Sequence, residues 1–157
     1  MSQPSWAPVL GRVASGLYIL SARHGNQETG MLASWVMQAG FEPPMVTVAL
    51  GRDRFVTKWV ESDTPFALSL LAEDQKSLLS HFGRGFEPGV PAFEGLELIR
   101  TPLGLPAIGN SLGYLECRAK SSVVSGDHRI FLAEVLGGDS FRDSQPYVHI
   151  RKNGQRY

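Results

Sequence analysis

Apolar and polar positions along the chain fall into short blocks separated by turn residues, and most of the blocks suit strands. Residues 13–23 (VASGLYILSAR) are rich in side chains that fit a pleated surface, and the HGNQETG that follows is turn chemistry. Residues 31–38 (MLASWVMQ) return with apolar and small side chains and end before Phe41-Glu42-Pro43-Pro44. Residues 45–50 (MVTVAL) alternate like a half-buried strand, and the prolines ahead of them set its start, since proline has no donor for the ladder. In residues 53–61 (DRFVTKWVE), Phe55, Val56, Trp59 and Val60 lie on one face of a short helix that Asp53 can cap. Residues 66–71 (FALSLL) read as a strand, and residues 74–82 (DQKSLLSHF) as a second short helix with Leu78, Leu79 and Phe82 inward. The Gly/Pro-rich residues 83–106 are expected to be irregular, a loop whose length points to a functional segment or a lid. Residues 112–124 and 129–136 are two strands joined at Ser125-Gly126-Asp127, and residues 147–151 a final strand. Six or seven strands with two short helices predict a closed or partly closed β-barrel, because closure removes exposed strand edges.

Composition narrows this picture without changing it. At 157 residues the chain is expected to form one domain spanning residues 1–157. Seventeen glycines and ten prolines favour many turns, hence strands over a helical bundle. Fifteen basic residues balance fifteen acidic ones, so nothing in the overall charge calls for nucleic acid or an anionic membrane as partner. There is no signal-peptide pattern at the N-terminus and no apolar run of the roughly 18 residues a membrane span needs, so a soluble, cytoplasmic protein is expected.

The familiar catalytic motifs are missing. His24, His81, His128 and His149 share no ligand spacing, and the single cysteine, Cys117, has no partner for a metal pair, so no protein-bound metal is expected. Cys117 lies mid-strand in YLECR, where a buried, inert thiol is the usual outcome. No nucleophile elbow, phosphate-binding Walker loop or dinucleotide glycine fingerprint occurs. Subtler features remain. Gly30, Ala33 and Ser34 place small residues in a strand, which either lets a ligand or second backbone approach or marks a bulge or barrel corner. Gly51-Arg52-Asp53-Arg54 opens a helix, and its arginines form either a phosphate site or a solvated charge cluster. Ser69 is either a satisfied core hydroxyl or a ligand contact. Gly126-Asp127 is hairpin chemistry, with His128 at the start of the next strand.

Taken in order, VASGLYILSAR, GMLASWVMQAGFEPPMVTVAL, ALSLLAEDQKSLLSHF, YLECR, SGDHRIFLAEV and HIRKNGQRY resemble the flavin reductase-like family from about Leu10 to Tyr157. MLASWVMQAGFEPP is most similar to the C-terminal flavin reductase domain of cyanobacterial-type flavodiiron proteins, here expected to stand alone. Where many free-standing flavin reductases carry hydroxyl side chains, this chain has Leu32 and Trp35, then Gln38 and Gly40, so contacts at those positions fall to the backbone.

The resemblance implies an FMN-binding split β-barrel of Greek-key type with a few short helices, assembled as a homodimer with one FMN per subunit. It implies an NAD(P)H-dependent flavin reductase that moves hydride from nicotinamide to flavin N5, with NADH or NADPH as donor. The acceptor would be free flavin, oxygen or a partner protein; an FMN-binding electron carrier without nicotinamide turnover is the alternative, and a haem-binding split barrel a third reading. By position, Met31, Leu32, Ala33 and Ser34 would line the ring and ribityl chain, and Trp35 would cover the ring or reach across the dimer. Arg52, Asp53 and Arg54 match the phosphate segment, and Gly126, Asp127 and His128 the loop beside flavin and nicotinamide, with His128 the catalytic candidate in an orienting or electrostatic role.

Overall fold

A computed structural model describes residues 2–157. The chain order is α1 (Ala7–Gly11), β1 (Tyr18–His24), β2 (Gln27–Ala33), β3 (Val36–Gly40), β4 (Met45–Gly51), α2 (Phe55–Glu61), β5 (Phe66–Leu70), α3 (Ser77–Gly83), β6 (Leu98–Arg100), β7 (Pro106–Ile108), β8 (Gly113–Ser125) and β9 (His128–Ser140). Seven strands form one antiparallel sheet in the order β2-β1-β5-β8-β9-β4-β3, and β6 pairs with β7 beside it. The non-consecutive neighbours give the Greek-key order of a split barrel.

The outer strands of this sheet, β2 and β3, are separated in sequence only by Ser34 and Trp35. Laid flat, seven strands would put them roughly 29 Å apart at ~4.8 Å per strand. The link from Ala33 to Val36 reaches about 11 Å at most. The sheet therefore curls until its two edges meet at Ser34-Trp35. The long hairpin β8–β9 makes the bend: β5 pairs with Gly113–Cys117 at one end of β8, while β4 pairs with His128–Glu134 at the opposite end of β9. Register shifts at Glu116/Cys117 and Ala119/Ser121 flank the point where pairing passes from β5 to β4, and bulges sharpen strand twist.

Two apolar cores result. Leu20, Met31, Val46, Val48, Leu50, Phe66, Leu68 and Phe131 fill the barrel, plugged by Val56 and Val60 of α2. Leu17, Ile19, Leu78, Phe82, Phe93 and Ile108 form a second layer outside β1 and β2, under α3. β1 is thus covered on both faces, which is why its apolar residues run together, whereas β4 alternates buried and half-buried as its sequence predicts. Ser69 is a satisfied core hydroxyl: it is buried and accepts a hydrogen bond from the Ile108 amide at 3.0 Å. Cys117 is buried, its thiol pushed up to about 12 by desolvation first and the Glu116 charge second.

Several expectations need correction. The turn after β1 is only Gly25-Asn26, with Gly25 at φ +61°, and Gln27 already belongs to β2. The run 31–38 is two strands broken at Ser34-Trp35. The N-cap position of α2 is Arg54, whose side chain makes no capping hydrogen bond, and Asp53, one residue earlier, is exposed and pairs with Arg52 at 3.8 Å. α3 begins at Ser77 because Asp74 instead takes both guanidinium nitrogens of Arg142, at 2.6 and 2.9 Å. Inside the 83–106 loop sits β6, three residues and too short to show an alternation. Residues 147–151 form no strand: they run extended, touching Ser15 through two backbone bonds at His149 and Leu71 through the Tyr147 amide.

Gly30 does not mark a bulge, and one side of it is filled by aromatic rings. The β1–β2 register is unbroken there, and a Cβ would come within 2.6 Å of Phe93 Cζ and 3.0 Å of Phe82 Cε1. The glycine makes room for the aromatic layer above it. Gly30→Ala is expected to destabilise the fold by about 1–3 kcal/mol, an overpacking cost, in urea unfolding. The double substitution with Phe93→Leu should recover part of the loss; no recovery would mean the rings are not what limits this site.

Candidate functional site

The closure at Ser34-Trp35 creates a cleft of about 280 Å³. Leu17, Leu32, Ala33, Ala49 and Phe82 give it apolar walls; Ser34, Trp35, Arg54, Gly83, His149 and Tyr157 complete it. Trp35 is kept at the seam by its own backbone, whose carbonyl accepts from the Ala49 amide at 3.0 Å. Its indole is the hub of a ring cluster, with centroids 4.6 Å from His128 and 5.2 Å from Tyr157, and the Arg151 guanidinium lies over it at 5.3 Å.

A second cleft of about 490 Å³ adjoins the first, lined by Gly30, Met31, Asp53, Arg54, Phe55, Arg84 and Phe86 among others. Arg54 belongs to both clefts, so one guanidinium stands where an apolar chamber meets a polar one. Arg84 adds a second guanidinium, resting over Phe86 at 5.0 Å.

The structure distributes the sequence-predicted residues as follows. Leu32, Ala33, Ser34, Trp35 and Arg54 come together in the first cleft, and Met31 and Asp53 join Arg54 in the second. Arg52 lines neither. Its amide donates to the Asp127 carbonyl at 2.9 Å and its Nη1 to the Gly126 carbonyl at 3.3 Å, tying the start of α2 to the β8–β9 turn. Gly126 and Asp127 are the two residues of that turn, Gly126 at φ +61° in the role glycine fills in tight hairpins. His128 packs against Trp35 and Tyr157, with Nδ1 2.7 Å from Asp127 Oδ1 and Nε2 in hydrogen-bond contact with the Tyr157 hydroxyl. The hydrogen bond to His128 is the main reason the Asp127 carboxyl is held below its usual range.

Sequence reasoning missed Leu17, Phe82 and Gly83 as lining residues, and assigned no role to Arg84, His149, Arg151 or Tyr157. Arg84 carried a faint signal in the Gly-Arg-Gly spacing; Tyr157 carried none, since nothing periodic leads to it. Among the described residues, no cluster of three or more His, Cys, Asp or Glu could hold a metal, and no helix is long and apolar enough to cross a membrane.

The donor set fits a flavin nucleotide. An apolar slot edged by Trp35 and Tyr157 suits a planar heteroaromatic ring, and the arginines of the second cleft suit an anionic tail. A small antiparallel split barrel carrying such paired clefts is the class of protein the fold and site define.

Comparison with known proteins gives the particular family. The Flavin reductase like domain matches residues 10–156, and the chain belongs to the flavin reductase-like family. It is 37% identical over 150 residues to putative diflavin flavoprotein A 3 of Nostoc sp. strain PCC 7120, covering 94% of this chain and 26% of that protein. Diflavin flavoprotein A 1 of Synechocystis sp. strain PCC 6803 matches at 37% with the same coverage. The chain thus spans about a quarter of the length of these curated relatives. Among solved structures, the NADH:FAD oxidoreductase SgcE6 of Streptomyces globisporus C-1027 superimposes with a TM-score of 0.84 at 26% identity, covering 91% of this chain and 85% of that one. SgcE6 in complex with NAD and FAD fragments gives 0.81 at 25% identity, covering 95% and 87%.

The first cleft also holds a titratable group whose state can be checked. Burial, reinforced by the Arg151 charge, lowers the His149 pKa from its ordinary 6.5. Folded His149 therefore stays neutral where the unfolded chain takes up a proton. Its contribution to stability is full above about pH 6.5 and is lost as pH falls from there toward the lowered folded value. Comparing urea midpoints at about pH 7.5 and 5.5, His149→Gln should lose less stability on acidification than the parent. Equal losses would remove His149 from the account.

Proposed function

We propose that the protein is an FMN-binding NAD(P)H:flavin oxidoreductase, working in the cytoplasm as a homodimer, with residues 1–157 forming one domain. The observation that carries this reading is the ring-lined cleft at the barrel seam joined through Arg54 to an arginine-flanked polar cleft. The nicotinamide-dependent naming of SgcE6 supports it.

A flavin held by the first-cleft residues and by Arg54 and Arg84 would supply the redox chemistry, as a two-electron acceptor for hydride from a nicotinamide. The chain supplies placement. Leu17, Leu32 and Phe82 exclude water from the ring slot, and Ala33 and Ser34 line it between Leu32 and Trp35, neither of which carries a hydroxyl. Arg54 and Arg84 draw the phosphate into the second cleft. His128, held by Asp127, orients the nicotinamide beside Trp35. NADH or NADPH is the donor; electrons leave to free flavin, oxygen or a partner protein.

Mixing the protein anaerobically with FMN and NADH or NADPH should bleach the flavin absorbance. FAD in place of FMN should bind less tightly. In the same assay Arg54→Ala should weaken FMN binding about ten- to a hundredfold, the loss of a charge-assisted contact, while His128→Ala should slow bleaching more than it weakens binding. No bleaching with either nucleotide would overturn the reductase reading in favour of an FMN-binding electron carrier.

The homodimer rests on the outer sheet face. Met37, Thr47 and Leu132 lie side by side across three strands, as do Ala49, Ile130 and Val123 across the next rows. Met37 is 65% and Val123 60% exposed, so the row is an apolar patch open to a second copy. Sedimentation should give twice the 17.2 kDa chain mass, and Ile130→Asp should halve it. A monomeric parent protein would contradict the dimer.

A further inference from the structure

The last residues of the chain reach the cleft by a backbone interlock. Gly11 closes α1, and a Cβ there would lie 2.7 Å from the Arg151 carbonyl oxygen and from the Asn153 amide nitrogen. A Cβ on Gly154 would run into Leu10, 2.5 Å from its Cγ. The two glycines thus let the C-terminal strap cross α1 in direct backbone contact. Hydrogen bonds fasten the crossing: Arg151 N donates to Gly11 O at 2.8 Å and Gly154 N to Ala7 O at 2.6 Å. Arg151 Nη1 then donates to the Arg156 carbonyl at 3.1 Å, shaping the final turn that delivers Tyr157 to Trp35 and His128.

The chemistry of the contact is set from its far side. Asp127 is ionised, so its Oδ1 can only accept, and His128 Nδ1 carries the proton shared with it at 2.7 Å. In the neutral imidazole Nε2 is then a bare acceptor, and the Tyr157 hydroxyl donates to it. The two partners do different things. Asp127 can only accept and so sets the tautomer, whereas the Tyr157 hydroxyl can donate or accept and follows it. Both partners are open to water, the Asp127 side chain at 94% and Tyr157 at 67% exposed, while the His128 side chain between them is only 14% exposed. The Tyr157 bond is the one that holds the ring at its Nε2 end.

We propose that Tyr157, held in place by the Gly11–Gly154 crossing, is a positioning residue that fixes the orientation of the His128 ring against Trp35 by donating to its Nε2. Its effect on turnover rests on the reductase reading above; its effect on the imidazole does not. Nitrogen-15 NMR of the full chain at about pH 8.5, above the ordinary histidine range, reads the tautomer directly. The parent should show His128 protonated at Nδ1 and bare at Nε2. Tyr157→Phe keeps the ring against Trp35 but removes the donor, and should move the His128 Nε2 resonance toward that of an unbonded acceptor nitrogen, with Nδ1 still protonated. Gly154→Val displaces the strap without touching the phenol and should do the same. With nicotinamide and flavin, Tyr157→Phe should lower kcat about three- to tenfold, the scale of one ordinary hydrogen bond, with KM unchanged. An unaltered His128 spectrum in Tyr157→Phe overturns the proposal. Absence of turnover in the parent would sink the reductase reading alone, since the NMR result still judges Tyr157.

Discussion

Seven strands whose two outermost members are joined by two residues cannot lie flat, and that tether governs the molecule. Ser34 and Trp35 force the edges of the sheet together. Curling gives the barrel an interior that only apolar side chains can fill, which β4, β5 and β9 supply. The same tether leaves a seam where β2 and β3 part. At that seam the Trp35 carbonyl is bonded to the Ala49 amide, and the first cleft opens beside it.

Around that seam the structure adds walls from distant parts of the chain. The second apolar layer, with Phe93 seated over Gly30, holds α3 against β2 and brings Phe82, Gly83 and Arg84 to the clefts. The β8–β9 turn brings Asp127 and His128, braced by Arg52. The C-terminal strap brings His149 and Tyr157. No two of these segments are neighbours in sequence; Trp35 is where they meet. A planar ring entering the slot would touch side chains from almost every part of the fold, so binding and folding stability are linked.

The polar groups are arranged with the same economy. Arg54 stands between an apolar and a polar chamber, able to serve a ligand that is aromatic at one end and anionic at the other. Arg52, two residues away and identical in charge, is occupied by the hairpin backbone. Side-chain type alone does not separate the two; their positions in the turn ahead of α2 do.

Much of the architecture is written locally. Alternation in MVTVAL, the Gly-Asp and Gly-Asn turns and the apolar face of FVTKWV are short-range patterns, so strands, hairpins and a helix could be read from them. The ordered blocks from VASGLYILSAR to HIRKNGQRY pointed to the family, and Leu32 to Trp35 with Arg54, expected at one flavin site, line one cleft. Other features depend on partners far along the chain. Whether Gly30 marks a bulge or makes room for Phe93, whether Asp53 caps a helix or pairs with Arg52, and whether residues 147–151 find a strand partner are decided only once the sheet has closed. Tyr157 is the clearest case: its sequence context is a polar tail, and its place against His128 follows from two glycines crossing at α1. The sequence by itself determined the elements and the family, because periodicity and turn chemistry act over a few residues. The contents of the cleft were decided by the tertiary structure, because closure, register and backbone crossings bring together residues that no local pattern connects.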